Sequence, residues 1–292
     1  VTGKGTKKGA PDPHLRTALR LPAGEPVDLA AYDARATPSA PPGGKRAARA
    51  AAAHTGERLA ELQERLWAAG TAGDRRRVLL VLQGMDTSGK GGTVKHVIGR
   101  LNPSGCRIKA FTAPTEEERR HDFLRRVRRA LPQAGEIGIF DRSHYEDVLI
   151  ARVRALAPPA EIESRYGRID DFERSLAEDG VTLVKCFLHL SYEEQRRRLL
   201  RRLDRPDKHW KFSAGDIDDR ALWPAYQQAY ETALERCAAP HAPWYLVPAD
   251  RKWYRNWAVG RLLLEHLEDL DPRYPKAYFD VAACRERLLA ED

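Results

Sequence analysis

The stretch VLLVLQGMDTSGKGGTVKHV, residues 78–97, starts as an apolar run, turns through a loop with four glycines and leaves in a pattern that suits a helix. Gly84, Gly89, Gly91 and Gly92 can adopt backbone conformations closed to other residues and let the chain approach a ligand closely, a freedom that costs stability in an ordinary segment. A loop that gives up so many side chains points to an anionic ligand held by backbone.

Residues 84–90, GMDTSGK, fit the spacing G-x-x-x-x-G-K, and they lie where that motif must lie, after an apolar strand and before a helix. In that geometry the amides around Thr87, Ser88 and Gly89 and the helix N-terminus surround phosphate oxygens, while Lys90 adds a point charge. A glycine turn carrying a surface lysine is the plainer alternative. The position after Lys90 normally holds a Ser or Thr that ligates Mg2+; here it is Gly91. Asp86 inside the loop and Thr93 one turn into the helix are the nearby substitutes. A carboxylate among phosphates is repelled unless a cation lies between them, so Asp86 is read as a Mg2+ ligand, directly or through water. The competing reading is an aspartate that caps its own turn.

Working outward, short apolar runs at 78–83, 107–112, 137–140, 181–190 and 244–247 alternate with helical patterns. Such alternation predicts a five-stranded parallel sheet with helices on both faces, one α/β domain over residues 27–292. A helix over 45–69, with Leu59, Leu62 and Leu66 at helical spacing, leads into the first strand. Ser191 with Glu194 three residues on reads as a capping box opening the helix after the fourth strand. Residues 1–26, rich in Gly, Pro and Lys, read as a mobile arm, and TPSAPPGG (37–44) as a linker.

The 292 residues are 42% hydrophobic, enough for a large core, and no apolar run approaches the ~20 residues of a membrane helix. With no signal-peptide pattern in VTGKGTKKGAPDP, a cytoplasmic protein without membrane association is expected. Cys106, Cys186, Cys237 and Cys284 lack zinc spacing and read as reduced thiols. Fifty Lys plus Arg against 42 Asp plus Glu give a formal charge of +8, which favours an anionic partner. A solvated arginine-rich surface would show the same balance.

IGIFDRSHYEDVL, residues 137–149, places Asp141 and Arg142 at the end of a buried strand, on the edge where open α/β sheets bind ligands. An acidic residue there is the usual second magnesium anchor of phosphate-loop enzymes, and Arg142 suits a second phosphate. RRLDRPDKHWKFSAGDID, residues 201–218, follows a helix and carries Arg202, Arg205, Lys208 and Lys211 beside Pro206 and Gly215. It reads as a mobile lid that could exclude water and neutralise charge. Trp210, Phe212 and Trp223 are assigned to packing at its hinge, not to base stacking. Together these features point to a phosphate-loop kinase-like three-layer sandwich of the thymidylate-kinase type with a helical lid.

At this level of detail the chain resembles the polyphosphate kinase 2 family. The resemblance rests on GMDTSGKGGT, NPSGCRIKAFTAPTEEERRHDFL, DRSHYEDVLIARV, FLHLSYEEQRRRLLRRLDRPDKHWKFS and APWYLVPADRKWYRNWAV, and extends over residues 27–275. It implies Mg2+-dependent, reversible transfer of phosphate between inorganic polyphosphate and AMP or ADP, with adenine or guanine as base and a homo-oligomer as the expected assembly. Asp86 and Asp141 would organise Mg2+, and Lys90 with the loop Gly84, Thr87, Ser88, Gly89, Gly91, Gly92 and Thr93 would bind the transferring phosphates. Arg142 and Arg152 would hold acceptor or bridging phosphates; Arg198, Arg202, Lys208 and Lys211 would belong to the lid and a polyanion trench. Arg125 after HDFL and the ERCAAPHAPW approach to the last strand depart from the family pattern and bear on acceptor choice. An ATP-dependent nucleoside monophosphate kinase, and a polyanion- or nucleic-acid-binding protein without turnover, remain the rival readings; the resemblance itself implies no nucleic-acid partner.

Overall fold

In the computed structural model, which describes residues 14–291, strand β1 (Arg77–Gln83) lies in the middle of a five-stranded sheet and is buried from Val78 to Gln83. The order is β2-β3-β1-β4-β5, with β2 (Cys106–Ala110), β3 (Ile137–Asp141), β4 (Val181–His189) and β5 (Trp244–Pro248), and every pairing is parallel. Parallel neighbours need long crossovers, and the helices that make them cover both faces.

In chain order the helices are α1 (Leu15–Leu19), α2 (Gly44–Thr71), α3 (Lys90–Val97), α4 (Glu116–Arg119), α5 (Phe123–Ala130) and α6 (Ile150–Val153) in the first half of the chain. α7 (Pro159–Glu178), α8 (Tyr192–Leu203), α9 (Gly215–Ala221), α10 (Trp223–Arg236), α11 (Lys252–Leu270) and α12 (Val281–Leu289) follow. Because side chains alternate along a strand, β1 feeds two cores. Leu79 and Val81 pack with Val127 of α5, Ile169 of α7 and Leu234 of α10. Val78, Leu80 and Leu82 pack on the other face with Leu59, Leu62 and Leu66 of α2 and Leu262 and Leu263 of α11. The three-layer α/β sandwich expected from the alternating runs is the fold observed, and no described helix is long and apolar enough to cross a membrane.

Residues 14–26 are not part of an arm. Leu15 and Leu19 are buried in the second core, the amides of Leu15 and Arg16 donate to the Glu265 carboxylate of α11 at 2.9 and 3.1 Å, and Leu21 N donates to Trp244 O. Arg20 bridges Tyr245 in antiparallel sense, so this segment lies along the edge of β5. The Gly, Pro and Lys that suggested mobility are concentrated in residues 1–13, outside the described residues.

The start of α8 differs from the expected capping box. Ser191 Oγ does accept from Glu194 N, at 3.2 Å, but the Ser191 amide donates to Asp250 Oδ1 instead of to Glu194. The Glu194 carboxylate is thereby free to pair with Arg197 and Arg198. The reciprocal box is formed instead by Thr115 and Glu118 at the start of α4.

Candidate functional site

The sheet order reverses direction between β1 and β3, and the crevice at their carboxyl ends receives the loops that follow each strand. After Gln83 the chain turns at Gly84, whose φ is +142° and whose missing Cβ would lie 2.7 Å from Leu188 O on β4. Thr87 also has a positive φ, +66°, and Gly89 at +109° caps α3. The first helical bond of α3 runs from Thr93 N to Gly89 O, and no side chain caps the helix, so the amides of Lys90, Gly91 and Gly92 are not used within it. The hydroxyls of Thr87, Ser88 and Thr93 are buried without a hydrogen-bond partner among the described residues. Unused amides and orphaned hydroxyls around one loop form a polar cradle awaiting acceptor oxygens.

Three side chains grip this loop from behind. Gln195 Nε2 donates to Asp86 O at 3.2 Å, Arg198 Nη1 to Thr87 O at 2.8 Å and Ser88 O at 3.1 Å, and Arg255 Nη1 to Ser88 O at 2.9 Å. Across a trans peptide the N–H points opposite to the C=O, so carbonyls drawn backwards turn the amides of Thr87 and Gly89 the other way. Lys90 is buried and folds over the loop, its Nζ donating to Gly84 O at 2.7 Å. Burial depresses its pKa, with Asp86 opposing.

β3 supplies the facing wall. Asp141, aligned with Leu82 of β1, carries its Oδ2 3.8 Å from the position a Cβ on Gly91 would take. Arg142 has φ +63°, is fixed by its amide to Leu82 O, and donates from Nη2 to Asp86 Oδ1 at 2.7 Å. Burial tends to raise the Asp86 carboxyl, but Lys90 and Arg142 outweigh it and hold it below the usual carboxylate range. Glu146, four residues beyond Arg142, is pushed up by burial against the pull of Arg142 and Lys90. With its amide oriented to satisfy both neighbours, Gln83 donates to Glu146 Oε1 at 3.2 Å and accepts from Ser143 Oγ at 3.0 Å. Behind this turn lies a buried polar cluster. Lys185 Nζ of β4 donates to Glu173 Oε2, Tyr145 OH and Cys237 O, and Glu173 Oε1 accepts from Tyr145 OH and bonds His144 Nε2. It anchors the turn after β3 to α7 and β4.

Of the residues singled out from sequence, Gly84, Asp86 to Thr93, Asp141 and Arg142 come together in this crevice. Arg202 reaches Lys211 O and Asp216 Oδ2 and contributes to lowering the Asp86 carboxyl. Lys208 pairs with Asp207 at 2.9 Å, and Lys211 Nζ lies 4.7 Å from the Trp210 ring centre. Trp210 is 78% exposed and packs no hinge, which corrects that expectation. Arg152 pairs with Glu163 at 3.1 Å. Arg198 does not line a trench. It is buried and its five N–H groups go to Glu194 Oε1 and the carbonyls of Thr87, Ser88, Ala249 and Asp250, which leaves none for a ligand.

Arg255, Gln195, Glu146 and Gln83 were missed. Arg255 explains two glycines differently from ligand approach: a Cβ on Gly89 would lie 1.6 Å from its Nη1, and one on Gly92 3.0 Å from its Nη2. Among the described residues, no group of three or more His, Cys, Asp or Glu side chains gathers as metal ligands.

Residues 44–275 match the family model described as polyphosphate kinase 2. The chain is 49% identical over 252 residues to the AMP/ADP-polyphosphate phosphotransferase of Meiothermus ruber, covering 86% of this chain and 90% of the relative. It is 41% identical over 245 residues to the ADP-polyphosphate phosphotransferase of Rhodopseudomonas palustris, covering 80% and 82%. The crystal structure of polyphosphate kinase 2 from Arthrobacter aurescens superposes with a TM-score of 0.92 at 49% identity, over 96% of this chain and 98% of that one.

Proposed function

Because the chain belongs to the polyphosphate kinase 2 family, we propose that it transfers a terminal phosphoryl group reversibly between inorganic polyphosphate and AMP or ADP. The observation that carries the reading is the cradle itself, with buried hydroxyls on Thr87, Ser88 and Thr93, helix-end amides at Lys90, Gly91 and Gly92, and the β3 carboxylate Asp141 beside Gly91.

The residues act by position and charge. The loop amides and Lys90 hold the transferring phosphoryl group, and Arg142 takes the phosphate beside it with two N–H groups. Arg142 is paired with Asp86. Binding therefore exchanges a carboxylate for a phosphate on the guanidinium. An acceptor phosphate oxygen is already ionised, so Glu146, pushed up by burial, is not needed as a base.

Asp86 and Asp141 offer an all-oxygen donor set too small to hold a cation without phosphate oxygens and water, which fits Mg2+. Bound there, it would neutralise charge on the phosphate oxygens. The exposed Lys211 and the half-buried Arg202 and Lys208 would then close over a polyanion, and Arg152 would serve the acceptor side. Four free cysteines suit the cytoplasm.

The test is long-chain polyphosphate, Mg2+ and either AMP or ADP, without ATP, read by chromatography. ADP formed from AMP and ATP formed from ADP are expected. Product only when ATP is supplied would replace this reading with a nucleoside monophosphate kinase.

A further inference from the structure

Arg198 and Arg255 converge on one carbonyl, that of Ser88, but their charges are balanced differently. Arg198 has a carboxylate partner, Glu194 Oε1 at 2.7 Å. Arg255 has none among the described residues: it is 3% exposed, and its side-chain bonds go to Ser88 O and to Asn256 Oδ1, both neutral. Burial and the neighbouring Arg198 push its guanidinium down to about 9. Lys252, one turn earlier on α11, is likewise depressed by burial and by Arg198, Arg201 and Arg255. The Asp250 carboxylate nearby is engaged by the amide and hydroxyl of Ser191. A buried cation without an anion is costly, and natural chains rarely keep one unless a counter-ion arrives later.

We propose that Arg255 is a positioning residue that supplies uncompensated positive charge to the back of the phosphate loop, so that the phosphate bound at the front is its counter-ion. Its approach is possible only because Gly89 and Gly92 lack side chains, which puts the guanidinium against the backbone whose amides face the ligand. The loop is one backbone thick at this point, and little solvent separates the two charges. The proposal deepens the functional reading above and rests on that loop as the phosphate site.

The consequence is an inverted pair of effects. Arg255→Met removes the charge while Arg198 still holds Ser88 O, so the ligand-free protein should melt at the same temperature or higher. The variant should bind inorganic tripolyphosphate about tenfold more weakly by calorimetry, and its ligand-induced rise in melting temperature should fall by about half or more. KM for polyphosphate should rise accordingly with kcat within about threefold. Arg255→Lys keeps the charge and should restore most of the affinity, and Arg255→Gln should behave like Arg255→Met.

Wild-type-like tripolyphosphate binding by either neutral variant would overturn the proposal. So would a lysine variant as weak as the methionine one, or ligand-free neutral variants that melt early or fail to fold, since each assigns Arg255 to packing. Wild-type protein that binds tripolyphosphate but transfers no phosphoryl group would sink the functional reading and leave the comparison of Arg255 variants standing.

Discussion

Arg142 Nη2 and Asp86 Oδ1 are joined at 2.7 Å across the crevice between β3 and the loop after β1, from positions fifty-six residues apart. In the phosphate site proposed above, Arg142 would turn to a phosphate and Asp86 to the cation. Asp86→Asn should therefore lower phosphoryl transfer, and raising Mg2+ should recover part of it, because Asp141 remains. Lys90→Ala and Asp141→Asn should lower transfer by about two orders of magnitude or more, the scale of losing one electrostatic stabiliser, without recovery. Turnover across a magnesium titration, with circular dichroism to confirm folding, distinguishes them. Full activity in any of the three removes the site assignment.

The four loop glycines should respond unequally to an added methyl or hydroxyl group. Gly89→Ala meets Arg255 and keeps a φ of +109°, so a loss of about 2 kcal/mol or more in denaturant titration is expected. Gly91 has no such constraint and its nearest neighbour is Asp141 Oδ2 at 3.8 Å. Gly91→Ser should leave stability within about 1 kcal/mol and, by restoring a hydroxyl beside Asp141, lower the magnesium concentration for half-maximal activity. Equal damage from both substitutions would contradict this division.

Glu173 is the carboxylate of the buried Lys185 cluster. Burial tends to raise it, but Lys185 and His144 win and hold it below the usual range. A carboxyl lowered in the folded state adds stability that is present above its unfolded pKa and is lost as the pH falls through the folded value. Glu173→Gln leaves the buried Lys185 without a carboxylate and should cost about 3–5 kcal/mol at pH 7. The gap between variant and wild type should narrow as the pH falls below the unfolded carboxyl value of about 4.3 and on through the folded value, which lies lower. Urea titrations at pH 7 and pH 3.5 read this; a gap that does not change with pH would place the cost in packing.

For the surface cations the expectation concerns salt. Each Lys or Arg that displaces a condensed counter-ion from a linear polyanion adds roughly one unit to the slope of log affinity against log salt, by analogy with nucleic acids. A triple alanine variant at Arg202, Lys208 and Lys211 should bind long-chain polyphosphate more weakly and with a shallower slope, while AMP affinity changes little. Titrations at several salt concentrations check it, and parallel losses for both ligands return these residues to a solvated surface.

The central strand could be read from the sequence because a strand buried on both faces must be continuously apolar, and 78–82 is so without interruption, whereas the largely exposed β2, with Arg107 and Lys109, could be read only from its place in the alternation. The loop could be read because its glycines and lysine follow a fixed spacing. Arg198 and Arg255 could not be placed. An arginine on a helix reads as facing solvent or ligand, whereas their partners are loop carbonyls that lie 110 and 167 residues away along the chain. The same distance effect misled the reading at Ser191, whose amide is claimed by Asp250, fifty-nine residues on. At the N-terminus the composition averaged over twenty-six residues concealed Leu15, Leu19 and Leu21, which only the tertiary structure shows to be buried.

The segment around Arg20 has a further effect at the scale of many molecules. By bridging Tyr245 and bonding Trp244 O, it occupies the outer edge of β5, one of the two places where a sheet can recruit foreign chain. Among the described residues no strand pairs with the opposite edge, β2, and Ile108 there is exposed. It is flanked on the same strand by Arg107 and Lys109, so two copies approaching edge to edge bring like charges together. Growth of the sheet into aggregates is thus blocked sterically on one side and electrostatically on the other, and the second barrier weakens as salt rises.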